Sequence, residues 1–248
     1  MYRENVFDGI IVLVLAVNET ESLYRTVADL EQVLPKEDVK KILIFYPPWV
    51  TQACEAVIDE LAARRFAIPV APERQISANM AKSLMHVFRR ERDNATHILF
   101  WASDGEVAQE KAALLLSAAK KDPQAFIKLS RMMKGGSQPT EKSLFLKIRD
   151  RAVCLMAHAW LKANITDALF CGHILFPLAP FNSHSLTDAK TGTIEILSLF
   201  SRLGTRFVEF PVQAMRRAEA RSTVRLKLKF GIFFFLLRRG RTKSKIEG

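Results

Sequence analysis

A chain of 248 residues is long enough for one large α/β domain or two small ones. Its composition, 49% hydrophobic and 25% charged, is that of an ordinary globular protein with a full core, and it contains no repeat or low-complexity tract. The three cysteines, Cys54, Cys154 and Cys171, have no metal-ligand spacing and cannot all pair. We therefore expect reduced thiols in a cytosolic compartment.

The net charge of +11 is concentrated at one end of the chain. Residues 216–245 contain eleven Lys and Arg and one acid, whereas the remainder has 26 basic and 25 acidic residues. A neutral body with one basic end indicates docking to an anionic surface. We expect no nucleic-acid partner, because a nucleic-acid-binding protein is more often basic over a whole face. Nucleic-acid binding by the basic end alone is the more distant alternative.

An apolar run of eight residues, Phe230–Leu237, lies inside the basic end. As a helix it would span about 12 Å, whereas crossing a bilayer takes roughly 20 residues. With Lys and Arg on both sides, such a segment can lie in the headgroup layer of an anionic membrane. The alternative is a C-terminal helix that packs on the core or on a partner subunit, so oligomerisation remains open.

Aliphatic runs of strand length alternate with amphipathic stretches over the first half of the chain. The predicted strands are Ile10–Val17, Lys41–Tyr46, Phe66–Val70 and His97–Trp101. The predicted helices that follow them are Leu23–Leu34, Cys54–Ala63, Ser77–Arg90 and Gln109–Lys120. Such alternation builds a mostly parallel sheet that is covered by helices on both faces.

The pattern becomes less regular after Pro123. The predicted elements here are a strand at Ala125–Leu129, helices at Ser143–Lys162 and Thr193–Leu203, and a strand at Arg206–Pro211. No clear linker interrupts them. We predict a single Rossmann-like α/β domain over residues 1–222, followed by a basic amphipathic segment over residues 223–248.

The most informative motif follows the strand His97–Trp101. Asp104 and Glu106 flank Gly105 in the turn after this strand, and ligands of open α/β sheets bind beyond the carboxyl ends of strands. Mg²⁺ and Mn²⁺ prefer hard oxygen ligands, and often need only one or two carboxylates because substrate phosphates supply the rest. The two acids therefore indicate a divalent-cation site. The alternative is an ordinary polar turn in which Asp104 or Ser103 caps the next helix.

Five short motifs, each weak alone, follow one another along the chain. They are Asn18-Glu19, Ser103-Asp104, Ser130-Arg131 with Gly135-Gly136, Asp167–Gly172, and Glu209–Val212 with Arg217 and Ser222. Their order and spacing resemble family 2 of the nucleotide-sugar-dependent glycosyltransferases, especially its polyprenol-phosphate (dolichol-phosphate) mannosyltransferase branch. The resemblance covers about Ile10 to Ser222, which is nearly the whole domain.

The resemblance implies a role for each matched residue. The implied metal ligands, for Mg²⁺ or Mn²⁺, are Asp104 and Glu106. The implied nucleotide-binding residues are Asn18, Glu19 and Ser103. Tyr46 and Trp49 are further nucleotide-binding candidates, but they stand where the chain departs from the family. The implied catalytic residues are Asp104, Arg131, Asp167 and Arg217. Of the five histidines, His173 is the one placed beside these motifs.

The chain departs from the family around the donor nucleotide. Pro47 and Pro48 stand where the family has acids, one of which grips the base or ribose, and Ala102 stands in place of the first metal aspartate. Tyr46 or Trp49 could stack on a base instead, since aromatic faces accept any base. Alternatively, both aromatic side chains pack against the core.

The candidate residues are also chemically consistent with sugar transfer. A sugar nucleotide leaves as a diphosphate, whose developing charge a bound cation can neutralise. Arg131 and Arg217 could orient an ionised lipid phosphate through charge-assisted hydrogen bonds. Asp167 could contact the metal or an acceptor hydroxyl, or merely cap a turn.

We therefore expect a glycosyltransferase that uses a nucleotide-diphosphate sugar and a polyprenyl-phosphate or other lipid-linked acceptor. The basic end predicts a peripheral position at the cytoplasmic face of the inner membrane, against its anionic surface. The alternative is a catalytically inactive relative that acts as a membrane-associated scaffold or regulator of glycan synthesis.

Overall fold

The computed structural model describes residues 6–139, 144–161, 164–187 and 192–216. Within these ranges the strands are β1 (Ile10–Leu15), β2 (Val39–Tyr46), β3 (Val70–Arg74), β4 (His97–Ala102), β5 (Phe126–Ser130), β6 (His173–Pro177) and β7 (Phe207–Pro211). The helices are α1 (Glu21–Val33), α2 (Gln52–Ala63), α3 (Met80–Glu91), α4 (Glu110–Lys121), α5 (Leu144–Leu161) and α6 (Gly192–Arg202). A short 3₁₀ helix, Ala179–Asn182, follows β6.

The seven strands pair into one sheet in the order β3-β2-β1-β4-β6-β5-β7. β1 pairs in parallel with both β2 and β4, and the pairs β2–β3 and β5–β7 are also parallel. Within this sheet β6 alone runs antiparallel to its neighbours, β4 and β5. Because the other strands share one direction, their carboxyl ends meet at the same edge, where α/β proteins bind ligands.

Helices cover both faces of the sheet because its central strands are apolar on both sides. Successive side chains of a strand point to opposite faces, so Ile11 and Leu13 enter one core while Val12 and Val14 enter the other. The first core lies under α3, α5 and α6, and the second lies under α1, α2 and α4. Neighbouring rings in the first core, with centroids 4.6–6.2 Å apart, belong to Phe88, Phe100, Phe126, Phe176, Phe181 and Phe200.

The structure confirms the predicted α/β class and, to within a few residues at each end, the predicted helices and all but one of the predicted strands. The prediction of the third strand at Phe66–Val70 is wrong, because β3 is Val70–Arg74 and pairs with the end of β2. Pro72 is tolerated there because β3 is an edge strand with one unpaired side. A further strand, β6, was not predicted; it inserts antiparallel between β4 and β5.

His97, at the amino end of β4, makes the stability of the fold depend on pH. Its Nε2 lies 2.7 Å from Pro123 O and its Nδ1 lies 2.8 Å from Thr96 Oγ1. Burial lowers the pKa of His97 to about 4, whereas an unfolded histidine titrates near 6.5. As pH falls below 6.5 the unfolded state binds a proton before the folded state does, so stability present above 6.5 is lost on acidification.

We expect the free energy of unfolding to fall by about 1.5 kcal/mol between pH 6.5 and pH 5 because of His97. Urea unfolding followed by circular dichroism at a series of pH values measures this slope. His97→Gln should flatten it, whereas the matched change His86→Gln, at an exposed site on α3, should leave it in place. An unchanged slope in His97→Gln would contradict the assignment.

The membrane expectations concern the end of the chain. None of the helices in the described ranges is both long and apolar enough to span a bilayer. The basic segment 223–248 and the candidate catalytic residue Arg217 lie outside the described residues.

Candidate functional site

The candidate residues lie in loops at the carboxyl edge of the sheet. The direction in which the chain crosses over reverses between β1 and β4, and such a switch point is where open α/β sheets bind ligands. Ser103 joins these two strand ends, since its backbone N and its Oγ donate to Leu15 O at 3.2 and 2.8 Å. Asn18 Oδ1 accepts a hydrogen bond from Thr51 N at 3.1 Å, which ties the loop after β1 to the loop after β2. Both Ser103 and Asn18 therefore shape the loops at this edge of the sheet.

Asp104 and Glu106 leave β4 in a tight turn. Gly105 between them has a φ of +69°, in the left-handed region that favours glycine. Glu106 N closes the turn by donating to Asp104 Oδ1 at 3.1 Å, and both acidic residues are buried. The next helix begins only at Glu110, so Asp104 and Ser103 do not cap it. The helix-cap alternative is therefore wrong, and the divalent-cation site stays a prediction.

Arg131 connects the end of β4 to the loop before β6. Its Nε and backbone N donate to Asp167 Oδ2 at 2.9 and 3.2 Å, and its Nη2 donates to Asp167 Oδ1 at 3.3 Å. Its Nη1 lies 3.4 Å from Glu106 Oε1. The guanidinium carbon is 4.3 Å from the centre of the Phe170 ring, a cation–π contact. The structure therefore brings Asp104, Glu106, Arg131 and Asp167 together.

The charges of this cluster support one another in a buried setting. Burial alone would raise the pKa of Asp167, but the charge and hydrogen bonds of Arg131 outweigh it and hold that pKa below its usual value. Burial alone would lower the pKa of Arg131, but the carboxylates of Asp167 and Glu106 raise it. Because both carboxylate oxygens of Asp167 accept hydrogen bonds from Arg131, Asp167 serves to position the guanidinium.

Gly136 packs directly against the backbone of Arg131. A Cβ at position 136 would lie 2.7 Å from Ser130 O and 3.1 Å from Arg131 Cα, too close for ordinary contact. The loop is closed by Gly136 N, which donates to Met133 O at 2.9 Å. Only a residue without a side chain permits this approach, which holds Arg131 in place from the backbone side.

We expect Gly136→Ala to lower the free energy of unfolding by about 1–3 kcal/mol, because the added methyl group must displace backbone atoms. Urea unfolding of the variant and the wild type measures the difference. The neighbouring change Ser137→Ala, at an exposed side chain, should stay within about 0.5 kcal/mol. Equal stability of Gly136→Ala and wild type would show that the loop can relax without cost.

The residues expected around the nucleotide fall into different environments. Glu19 is buried, and its Oε2 accepts the backbone N–H groups of Val17 and Asn18 at 2.6 and 3.0 Å, which shapes the loop after β1. Tyr46 packs in the core under α1, α2 and α4, as the packing alternative proposes. Trp49, in contrast, is 59% exposed. Of this pair, only Trp49 therefore offers an aromatic face to a ligand.

His173, the histidine expected beside the site, is a core residue. Its ring packs edge-on against Trp101 with centroids 4.7 Å apart, and it stacks on Phe170 at 5.0 Å. It thus supports the ring on which the Arg131 guanidinium lies.

Lys128 and Glu209 belong to the same region. Lys128 is fully buried in β5, and its Nζ lies 3.3 Å from Glu209 Oε1 on the neighbouring strand β7. In the sequence Glu209 is recognisable only as part of a motif, and Lys128 is an ordinary residue of a predicted strand. No local signal distinguishes a buried lysine from an exposed one, because its carboxylate partner is far away in sequence.

The donor set fits a hard divalent cation. Asp104 and Glu106 provide carboxylate oxygens, which are the ligands that such ions prefer. Over the described ranges no group of three His, Cys, Asp or Glu side chains converges as a complete metal cage. Mg²⁺ and Mn²⁺ commonly take their other ligands from substrate phosphates and water, so the two acids at the end of β4 are the residues that would hold such an ion.

Comparison with known proteins places the fold. No protein-family model matches the chain, and no curated protein resembles it significantly. Among solved structures, a mannosyltransferase from Pyrobaculum calidifontis in complex with GDP-Man and Mn²⁺ has a TM-score of 0.64 and 14% identity, over 96% of this chain and 64% of that chain. Glucosyl-3-phosphoglycerate synthase from Mycobacterium tuberculosis, in complex with Mn²⁺, UDP and phosphoglyceric acid, has a TM-score of 0.67 and 16% identity. The match covers 94% of this chain and 78% of that chain.

A further mycobacterial protein gives a TM-score of 0.67 at 16% identity, over 94% of this chain and 74% of that chain. At such identity the agreement concerns the path of the backbone, while substrates are determined by individual side chains. The fold matches these structures over almost the whole length of this chain. The protein therefore has the GT-A fold of the nucleotide-sugar glycosyltransferases.

Proposed function

We propose that the protein is a glycosyltransferase that takes a sugar from a nucleotide-diphosphate donor with the help of Mn²⁺ or Mg²⁺. The observation that carries this proposal is the buried group at the end of β4, in which Asp104, Glu106, Arg131 and Asp167 converge. The solved structures of this fold named above contain nucleotides or nucleotide sugars together with Mn²⁺, which supports the same chemistry here.

The protein's contribution to such a reaction would be electrostatic. A divalent cation held by Asp104 and Glu106 would neutralise charge on the diphosphate as the glycosidic bond breaks. Arg131 is fixed by Asp167 and Phe170, so it presents a positive charge without having to reorganise during the reaction. Asp167 holds that charge in place. Trp49 offers a stacking surface for the base of the donor.

The proposed acceptor is a polyprenyl phosphate or a related lipid-linked glycan at the cytoplasmic face of the membrane. The excess of Lys and Arg over residues 216–245 supports binding to an anionic surface. Helix α5 adds support, because its exposed apolar side chains Leu144, Ile148 and Leu155 share one face of the helix. Arg151 is exposed on the same face, a combination typical of helices that lie in the headgroup layer.

Isothermal titration of the full chain with UDP and with GDP, each with and without Mn²⁺, tests the donor site. We expect binding of at least one nucleotide that requires Mn²⁺ and disappears with EDTA. Binding of neither nucleotide to a protein shown to be folded would overturn the proposal for these donors.

Sedimentation with vesicles tests the proposed membrane location. Vesicles of phosphatidylglycerol should retain the full chain, and retention should decline steeply with salt, whereas neutral phosphatidylcholine vesicles should not retain it. Added DNA should not compete. Equal retention by both vesicle types, or release by DNA, would contradict a specific role for an anionic membrane.

A catalytically inactive scaffold remains the second candidate, and two observations favour it. Ala102, at the end of β4, stands where the resembled family has a metal-binding aspartate. Glu106 is partly engaged by Arg131. The scaffold predicts membrane retention without nucleotide binding, so the two experiments together separate the candidates.

A further inference from the structure

Lys128 is an unusual residue for the middle of a buried strand. It lies in β5 between β6 and β7, opposite Ile174 on one side and Glu209 on the other, and its side chain has no exposure to solvent. Burying an ammonium group is costly unless it is paired and fully hydrogen-bonded. Its Nζ meets that requirement, because it donates to Asp167 O at 2.6 Å, to Leu129 O at 3.0 Å and to Glu209 Oε1 at 3.3 Å.

Glu209 reaches the same loop from the other strand. Its Oε2 accepts from both the backbone N and the Oγ1 of Thr166 at 2.7 Å, and its Oε1 lies 3.4 Å from Asp167 N. Thr166 Oγ1 is also 2.6 Å from Ser130 Oγ, at the carboxyl end of β5. The backbone of Thr166 and Asp167 is therefore held on both its donor and its acceptor sides by side chains from two adjacent strands.

The held loop leads directly to the candidate site. The carboxylate of Asp167 accepts three hydrogen bonds from Arg131, and Arg131 in turn reaches Glu106. A continuous series of contacts thus runs from Glu209 and Lys128, through Asp167 and Arg131, to the end of β4.

Stability alone is a poor explanation for this pair. The desolvation cost of a buried ion pair often equals or exceeds its Coulomb gain, so apolar residues of similar volume would stabilise the sheet at least as well. What apolar residues could not do is fix the amide and carbonyl groups of an irregular loop. The specific consequence of the pair is the placement of the Asp167 carboxylate.

We propose that Lys128 and Glu209 are positioning residues, which set the location of Arg131 and Glu106 through the Thr166–Asp167 backbone. The expected effect on metal and nucleotide binding rests on the proposed function. The expected effect on the position of Arg131 is independent of that function.

The test uses the double variant Lys128→Met/Glu209→Gln, in which neither side chain is left as an unpaired buried charge. The matched control is Lys41→Met/Glu91→Gln, which removes a pair 2.8 Å apart, with a fully buried carboxylate and a partly exposed lysine, from the other half of the sheet. Thermal unfolding identifies folded variants. If the double variant does not fold, Glu209→Asp retains the charge opposite Lys128 but withdraws the carboxylate from Thr166.

The first readout is the Nε–H resonance of Arg131 in ¹⁵N-arginine-labelled protein, assigned by its absence in Arg131→Lys. We expect this resonance to shift, or to lose its protection from solvent exchange, in the Lys128–Glu209 variants and to be unchanged in the control. The second readout is the Mn²⁺ dissociation constant in the presence of GDP or UDP, followed by the electron paramagnetic resonance of unbound Mn²⁺. We expect it to rise by about tenfold, the scale typical of residues that orient metal ligands.

An unchanged Arg131 resonance in a folded Lys128–Glu209 variant would overturn the inference, whatever the metal data show. The inference would also be overturned if the Mn²⁺ dissociation constants of the Lys128–Glu209 variant and of the control were the same and both lay within about twofold of the wild-type value. Absence of Mn²⁺-dependent nucleotide binding in the wild type would refute the proposed function instead, and the resonance of Arg131 would then decide the positioning role by itself.

Discussion

Arg131→Met should lower the free energy of unfolding by about 3–5 kcal/mol, the largest stability effect that we expect of a single change at the site. The Arg131 side chain supplies two hydrogen bonds to the carboxylate of Asp167 and a third contact to Glu106. Methionine fills much of the same volume but leaves two buried carboxylates without this charge. Urea unfolding at pH 7, followed by circular dichroism, gives the difference directly.

The pH dependence of this difference identifies its cause. Without Arg131, Asp167 can be buried cheaply only in its protonated form, so its pKa in the folded variant should lie above the unfolded value of about 3.9. The stability of the variant should therefore recover as pH falls from 7 towards 4, and the gap to wild type should narrow. A gap that is independent of pH over this range would indicate lost packing instead of lost charge.

Two further variants separate charge from position. Arg131→Met/Asp167→Asn removes the unpaired charge and should recover part of the lost stability. Arg206→Met breaks an exposed pair with Asp122 and should change stability by less than about 1 kcal/mol. If Arg206→Met is as damaging as Arg131→Met, burial is not what makes the Arg131 contacts important.

The fold was largely accessible from the sequence because its central strands are long apolar runs between polar turns. β1 and β4 are buried on both faces, so their pattern does not depend on neighbours that the sequence cannot reveal. β3 is different, because only one residue in Val70–Arg74 is buried and Pro72 opposes a strand assignment. Its position is determined by pairing with β2, a tertiary effect with no local signal.

The parts of the candidate site that are close in sequence could be predicted, whereas the contacts between residues far apart in sequence could not. Asp104 and Glu106 lie one residue apart in the turn after a strand, so they are recognisable as a pair. Arg131 stands out through the glycines that follow it. The link from Lys128 to Glu209, in contrast, joins residues that are 81 positions apart and depends on which strands become neighbours in the sheet.

The candidate nucleotide-binding residues show why a match to a motif does not determine what a side chain does. Asn18 and Glu19 fit the resemblance, yet their side chains accept backbone hydrogen bonds within and between loops. Their direct effect is on the shape of the loops after β1 and β2. Tyr46 and Trp49 are close in sequence, but the strand ends between them, so one packs in the core and the other is exposed.

Asp104→Asn should abolish the Mn²⁺ dependence of nucleotide binding, with affinity reduced about 100-fold or more in the presence of the metal. The change is well matched to the structure, because an asparagine Oδ1 can accept the hydrogen bond that Asp104 Oδ1 now accepts from Glu106 N. The turn after β4 should therefore persist, and only the negative charge is removed. Isothermal titration with UDP and GDP, with and without Mn²⁺, measures the effect.

The control for Asp104→Asn is Asp122→Asn, which removes a carboxylate just after α4, at the opposite end of that helix from the turn holding Asp104. We expect wild-type nucleotide affinity in this control and a melting temperature within a few degrees of wild type in both variants. If Asp104→Asn binds nucleotide with the same Mn²⁺ dependence as wild type, Asp104 is not a metal ligand. The cation would then have to be held without it, and the assignment of the site to the end of β4 would fail. If affinity drops equally with and without Mn²⁺, Asp104 acts on the nucleotide through the shape of the turn, and Glu106 with Arg131 becomes the centre of the donor site.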